Sequence, residues 1–222
     1  QRFDTTGQDL RFTWQGRPIQ VRLDLIGGFQ AENVLVAAGM VIGSGAAAGD
    51  VFAAMPRLST VRGRMQLAAT RRNGAAVFVD YAHTPDALEN VLLTIAAFQK
   101  EHRIITVVGC GGDRDKEKRP KMAAIAAARS QQVVLTSDNP RTEDPQQIIA
   151  DMEAGLDAAA ASRTIAVLDR KQAIKTALLM AQPGDIILIA GKGHETYQEI
   201  NGVRSDFDDV AITKELFNQL DK

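Results

Sequence analysis

Residues 75–85 read Ala75-Ala76-Val77-Phe78-Val79-Asp80-Tyr81-Ala82-His83-Thr84-Pro85. Five apolar residues, three of them β-branched or aromatic, predict a buried strand. Polar residues follow at once. Thr84 then has the form of a helix cap, with Pro85 at the first helical position. Leu88, Val91, Leu92, Ile95 and Phe98 fall on one face of the helix so begun. Strand, polar junction and helix in one stretch make the repeating unit of a parallel α/β sheet.

The same unit recurs downstream. Apolar β-type runs stand at 104–108, 133–136, 164–168 and 186–190, and all but the last precede a helical segment. Asp144-Pro145-Gln146-Gln147 and Asp169-Arg170-Lys171-Gln172 have the form of capping boxes with Asp as the cap. Uniformly apolar strands alternating with helices predict a mostly parallel, doubly wound sheet covered on both faces. A last hairpin, 197–200 and 203–207 around Asn201-Gly202, is expected to add antiparallel edge strands. Upstream, residues 10–25 alternate around Gln15-Gly16 as a hairpin, and helices are expected over 31–43 and over 48–55, before Pro56. Two strands and two helices have little sheet to cover, so this part is expected to be the end of a domain that begins further upstream.

Composition narrows the function classes. The 222 residues are 45% hydrophobic and 24% charged with net charge −1, which gives no electrostatic footprint for nucleic acid or an anionic membrane. No apolar run approaches the roughly 20 residues of a membrane span, and Gln1-Arg2-Phe3-Asp4 has no signal-peptide pattern. The single cysteine, Cys110, cannot form an internal disulfide, and a reducing cytoplasmic setting is expected.

Ligands of an open parallel sheet bind at the carboxyl ends of its strands. Four polar clusters stand there: Asp80–Pro85; Gly109-Cys110-Gly111-Gly112-Asp113-Arg114-Asp115; Ser137-Asp138-Asn139-Pro140-Arg141; and Gly191-Lys192-Gly193-His194-Glu195. Gly109–Gly112 lacks the G-x-G-x-x-G spacing of a dinucleotide loop, and no G-x-x-x-x-G-K-S/T phosphate loop occurs in these residues.

These four motifs, in this order and spacing, resemble the Mur ligase family. The likeness extends upstream to Gly28-Phe29-Gln30-Ala31-Glu32-Asn33, where family members often carry Asn in place of Gln30. The resemblance implies that residues 1–64 are the carboxy-terminal portion of a central ATP-binding domain. Residues 65–222 would then form a Rossmann-like domain that brings the incoming amino acid. It implies ATP and magnesium as cofactors, with the phosphate loop and metal ligands upstream, so that this piece alone would be inert. The implied reaction is ATP-driven amide formation through an acyl phosphate, joining meso-diaminopimelate to UDP-MurNAc-L-Ala-D-Glu in peptidoglycan precursor synthesis. The implied protein is a cytoplasmic monomer.

Arg141 carries the choice of amino acid. Diaminopimelate differs from lysine by a second carboxylate-bearing centre, and a planar bidentate donor reads a carboxylate as Lys cannot. By resemblance Arg114, Asp138, Asn139, Arg141, Gly191 and Glu195 hold diaminopimelate, with Glu195 on the distal ammonium. Asn33, Arg64, Asp80 and His83 would lie at ATP. The bland alternatives are a surface ion pair for Arg141, worth under about 1 kcal/mol, a turn or cap role for Asp80, an exposed helix amide for Asn33 and a solvated linker charge for Arg64. His194 is expected to shape its turn, and His102 to sit on a solvated helix end. The charged run 113–121 reads as a solvated loop from which Arg114 alone is excepted. Two other functions remain open: a family ligase that adds lysine or another amino acid, and a non-catalytic domain that binds a nucleotide or amino acid.

Overall fold

The structure is a computed structural model describing residues 2–4, 7–98 and 101–220. The chain forms two compact units, Gln1–Val61 with Thr94–Phe98, and Arg62–Leu93 with Gln99–Lys222.

In the smaller unit, β1 (Arg2–Asp4), β2 (Gly7–Trp14) and β3 (Arg17–Leu23) make an antiparallel sheet. The hairpin turns at Gln15-Gly16, both at positive φ, as its sequence predicts. Helix α1 (Gly28–Gly43) and the short α2 (Ala48–Ala54) follow. Leu10, Val21 and Leu23 from the sheet pack with Ala31, Val34 and Ala38 of α1 and with Met55. The buried Gln8 amide donates to the carbonyls of Leu25 and Gly27 at 3.0 and 2.8 Å, pinning the chain where α1 starts.

From Gln66 onward the chain forms β4 (Gln66–Thr70), β5 (Ala76–Asp80), α3 (Pro85–Phe98), β6 (Ile104–Cys110), α4 (Lys118–Arg129), β7 (Gln132–Ser137), α5 (Pro145–Glu153), α6 (Ala158–Ala161), β8 (Thr164–Ala166), α7 (Arg170–Met180), β9 (Ile186–Ala190), β10 (Tyr197–Ile200), β11 (Val203–Asp206) and α8 (Asp209–Leu220). Six strands form one sheet in the order β4-β5-β9-β6-β7-β8. All neighbours pair in parallel except β4, which is antiparallel to β5. Val77, Val79, Ile105, Val107, Ile187 and Ile189 on one face pack against Ala173, Ile174 and Leu178 of α7 and Val210 and Phe217 of α8. Helices α4 and α5 pack over β6 and β7. The parallel α/β fold read from the sequence is therefore the fold observed. On α3 the predicted face is buried at Leu88, Val91, Leu92 and Ile95.

The structure departs from the sequence reading in several places. Strand β4 was not expected; it covers the outer edge of β5. Helix α8 was not expected either. The final hairpin does not extend the main sheet but forms its own two-stranded ribbon. The reason is topological: β9, from which the chain emerges, lies between β5 and β6, so no edge is open beside it. Both Asp caps form, Asp144 accepting from the Gln146 N–H and Asp169 from the Gln172 N–H. The reciprocal arm of the first box is diverted, because Gln147 donates to Asp151 instead. The charged run is not a solvated loop throughout: α4 begins at Lys118, and Arg119 within the run is completely buried.

Candidate functional site

The carboxyl ends of β5, β9, β6 and β7 stand side by side, and the four polar motifs leave the sheet there. Asp80 ends β5 and is 4% exposed. Its Oδ2 accepts from the Met65 N–H at 2.7 Å and its Oδ1 from the Ala82 N–H at 2.8 Å. Burial raises its pKa above the usual carboxylate value, against the opposing pull of those two N–H groups and of Arg64. Asp80 thus fastens the segment before β4 to the rim. About two of the four acceptor positions of a carboxylate are used this way.

Beside it lies a cluster of rings. Tyr81 packs 4.6 Å from His83 and 5.0 Å from His194, and the Arg64 guanidinium sits 4.7 Å from the Tyr81 centroid. His83 Nδ1 is 2.9 Å from the Tyr81 carbonyl. Lys118, at the start of α4, donates to the His83 carbonyl at 2.7 Å. Arg64 is carried there by Gly63, whose φ is +71° and whose Cβ, if it had one, would stand 2.2 Å from His194 N. Only glycine allows this approach of two backbones.

The other half of the rim is built from the loops after β6, β7 and β9. Asn139 is 2% exposed and its side-chain amide is used at both ends. Nδ2 donates to Glu195 Oε2 at 2.9 Å, while Oδ1 accepts from Lys192 Nζ and the Glu199 N–H, each at 2.9 Å. Asp138 lies close by; a Cβ on Gly191, at φ +116°, would be 2.7 Å from Asp138 Oδ2. Arg141 adopts φ +52°, a left-handed value uncommon for a residue other than glycine. The ribbon holds it: Arg141 N–H donates to Glu199 O at 3.0 Å and Asn201 N–H donates to Arg141 O at 2.6 Å. Its Nη1 donates to Gly112 O at 2.7 Å. A Cβ on Gly111 would be 3.0 Å from that nitrogen and 3.8 Å from Arg114 Cγ, so both arginines flank Gly111. Arg114 is exposed and donates to Asp113 O.

Three buried charged groups missed by the sequence reading support this rim. Arg170 and Asp209 are both 0% exposed and form a two-pronged ion pair at 2.9 and 2.8 Å. Arg170 also donates to Ala190 O at 3.0 Å and Ser137 O at 3.4 Å, tying together the last residues of β9 and β7. Arg119 reaches Glu143 at 2.9 and 3.0 Å, Asp151 at 2.8 Å and Gly111 O at 3.3 Å. Its guanidinium, helped by the Asp113 N–H, holds the Glu143 carboxyl at a pKa of about 2. Lys192 is the third, a fully buried ammonium whose pKa burial lowers. A helical signal could have found the arginines: Arg119 precedes buried Met122 and Ala123 by three and four residues, and Arg170 precedes Ala173 and Ile174 in the same way. Cys110 is buried, and desolvation pushes its thiol up to about 12.

Of the ten residues singled out, Arg64, Asp80, His83, Arg114, Asp138, Asn139, Arg141, Gly191 and Glu195 lie in the larger unit along this rim. Asn33 is exposed on α1 of the smaller unit. Among the described residues no group of three or more His, Cys, Asp or Glu is placed to hold a metal ion. No helix among them is long and apolar enough to cross a membrane.

A parallel α/β domain with charged loops gathered at its strand ends is the architecture of a ligand-binding domain. Residues 63–193 match the family described as Mur ligase, glutamate ligase domain, and the chain belongs to that family. Over 220 residues it is 50% identical to the UDP-N-acetylmuramoyl-L-alanyl-D-glutamate–2,6-diaminopimelate ligase of Cytophaga hutchinsonii, covering 98% of this chain and 44% of the relative. The ligase of the same name from Bacteroides thetaiotaomicron is 50% identical over 200 residues, covering 90% of this chain and 41% of the relative. A solved structure of a ligase of that name superposes with a TM-score of 0.72 at 42% identity, over 98% of this chain and 44% of that one. The chain spans less than half the length of the curated relatives it matches.

Proposed function

We propose that this chain is the amino-acid-binding part of an ATP-dependent amide ligase that adds meso-diaminopimelate to UDP-MurNAc-L-Ala-D-Glu. Residues 65–222 form the amino-acid domain in this reading, and residues 1–64 belong to the ATP-binding domain. The observation that carries it is the pairing of Arg141 and Arg114 around Gly111, next to the interlocked Asn139 and Glu195. Two guanidinium groups suit a carboxylate, and Glu195 with Asp138 suits the ammonium beside it. Lysine has no carboxylate at that end, and a site built to pair one is left with its arginines unmatched.

The rim also suits a nucleotide. The Tyr81–His83–His194 rings and Arg64 offer an aromatic cluster with a cation, and Asp80 keeps acceptor positions for ribose hydroxyls. ATP, when bound, supplies the phosphoryl group that activates the substrate carboxylate. The chain's own residues orient the amine and exclude the wrong amino acid. Magnesium is given no ligand from this chain. The protein is proposed to be a cytoplasmic monomer, a setting that suits the buried free thiol of Cys110.

The test uses the full-length protein with ATP, magnesium and UDP-MurNAc-L-Ala-D-Glu, following ADP release with meso-diaminopimelate or with L-lysine. Turnover is expected with diaminopimelate alone, and Arg141→Lys should lower kcat/KM for it by roughly 10²-fold or more. Turnover with lysine would overturn the specificity. Turnover with neither would leave a binding domain without this catalysis.

A further inference from the structure

Lys192 has no part in the reading above, yet it is a fully enclosed charge on the rim. Its side chain is 0% exposed. Nζ donates to Asn139 Oδ1 at 2.9 Å and to Glu195 Oε2 at 3.3 Å, stands 4.0 Å from Asp138 Oδ1 and lies 5.5 Å from the centroid of the Tyr197 ring. An isolated ammonium in such a place is strongly unfavourable unless it is paired. Its polar partners are the residues assigned to the amino acid.

Two consequences follow from donor and acceptor chemistry. An ammonium only donates, so the amide atom of Asn139 that faces Lys192 must be the oxygen. That oxygen also takes the Glu199 N–H, and the amide nitrogen is thereby turned toward Glu195. Lys192 thus settles an amide orientation that shape alone leaves undecided. The second consequence concerns charge. One ammonium stands against two carboxylates, Asp138 and Glu195, so the trio carries one uncompensated negative charge. Arg170 is not free to balance it, being committed to Asp209 and to the Ala190 and Ser137 carbonyls.

We propose that Lys192 is a positioning residue that determines specificity: it locks Asn139 and Glu195 in their receiving orientation and leaves this cluster one cation short. The ligand group so selected is a primary ammonium adjacent to a carboxylate that Arg141 can take. This rests on the amino-acid site proposed above. The charged and titratable groups around Lys192 are Asp138, Glu195, Arg170, Asp209 and Tyr197.

The experiment is a double-mutant cycle in the full-length protein with Lys192→Met, Glu195→Gln and the pair, and Lys192→Arg as the conservative variant. KM for meso-diaminopimelate should rise more than tenfold in Lys192→Met, with KM for ATP within twofold of wild type. Lys192→Arg should recover part of the loss. In the Glu195→Gln background the effect of Lys192→Met should be smaller than in wild type, because the contact to Glu195 is already weakened while the bond to Asn139 remains. A folded Lys192→Met with unchanged KM for diaminopimelate, equal rises in both KM values, or strictly additive effects would each overturn the proposal. Should Lys192→Met fail to fold, Lys192→Gln gives the same comparison. Should wild type turn over with neither amino acid, the ligase reading fails separately, and calorimetric affinity for diaminopimelate in wild type and Lys192→Met decides this one.

Discussion

Replacing Arg170 by Met tests whether a buried charge pair holds the rim together. Both partners are 0% exposed, so the substitution strands the Asp209 carboxylate in the interior. Removing one member of such a pair costs about 3–5 kcal/mol. The Ala190 and Ser137 carbonyls lose donors at 3.0 and 3.4 Å as well, and the shorter bond adds about 1 kcal/mol. A loss of roughly 4–6 kcal/mol is a large part of the 5–15 kcal/mol typical of a folded domain. At about 2–4 °C per kcal/mol for a unit of this size, the melting midpoint should fall by roughly 10–20 °C. Urea denaturation followed by far-ultraviolet circular dichroism measures the loss directly. The double variant Arg170→Met/Asp209→Leu should recover most of it, because no charge is then left unpaired. A single-variant loss below about 1 kcal/mol would refute the reasoning. A double variant as unstable as the single would show that lost hydrogen bonds at the strand ends, rather than the stranded charge, set the cost.

Acid should act through Glu143. Its pKa is held at about 2, below its ordinary 4.5, first by Arg119 and then by the Asp113 N–H. The stability it contributes is therefore complete above about pH 4.5 and lost as pH falls through about 2. Glu143→Gln should lower the melting midpoint at pH 7 and flatten its fall between those limits, and an unchanged acid profile would contradict this. Cys110 should resist a thiol reagent such as 5,5′-dithiobis(2-nitrobenzoate) in the native protein at pH 8, being 2% exposed with a pKa near 12, and react at once in denaturant. Fast labelling of the native protein would contradict the burial seen here.

The parallel sheet was legible because its four buried strands, β5, β6, β7 and β9, are mostly apolar on both faces and a polar junction follows the carboxyl end of each. The local pattern at 75–85 already contains strand, turn and capped helix. Strand β4 was not legible for the opposite reason. Its residues Gln66-Leu67-Ala68-Ala69-Thr70 are half exposed at an edge, and a bulge between Leu67 and Ala69 breaks the alternation. The last hairpin was legible as a hairpin, since Asn201-Gly202 sets its turn. Its place was not, because that depends on β9 being enclosed by two strands that precede it in sequence.

At the site, the motifs and their order along the chain are local information, and the family resemblance they carry picked out nine residues that the larger unit places along one rim. Which side chains carry each other is not local. Arg119 lies in a run read as solvated, and Arg170 and Lys192 lie in motifs that gave them no role of their own; each is completely buried because carboxylates come to meet it: Glu143 and Asp151 for the first, Asp209 for the second, Asp138 with nearby Glu195 for the third. The sequence by itself determined the strand-and-helix alternation and the chemistry offered at the strand ends. Only the tertiary structure decided the pairing of buried charges and the positive φ of Arg141. The hydrophobic pattern is a short-range property of the chain, whereas burying a charge is tolerable only where folding delivers its partner.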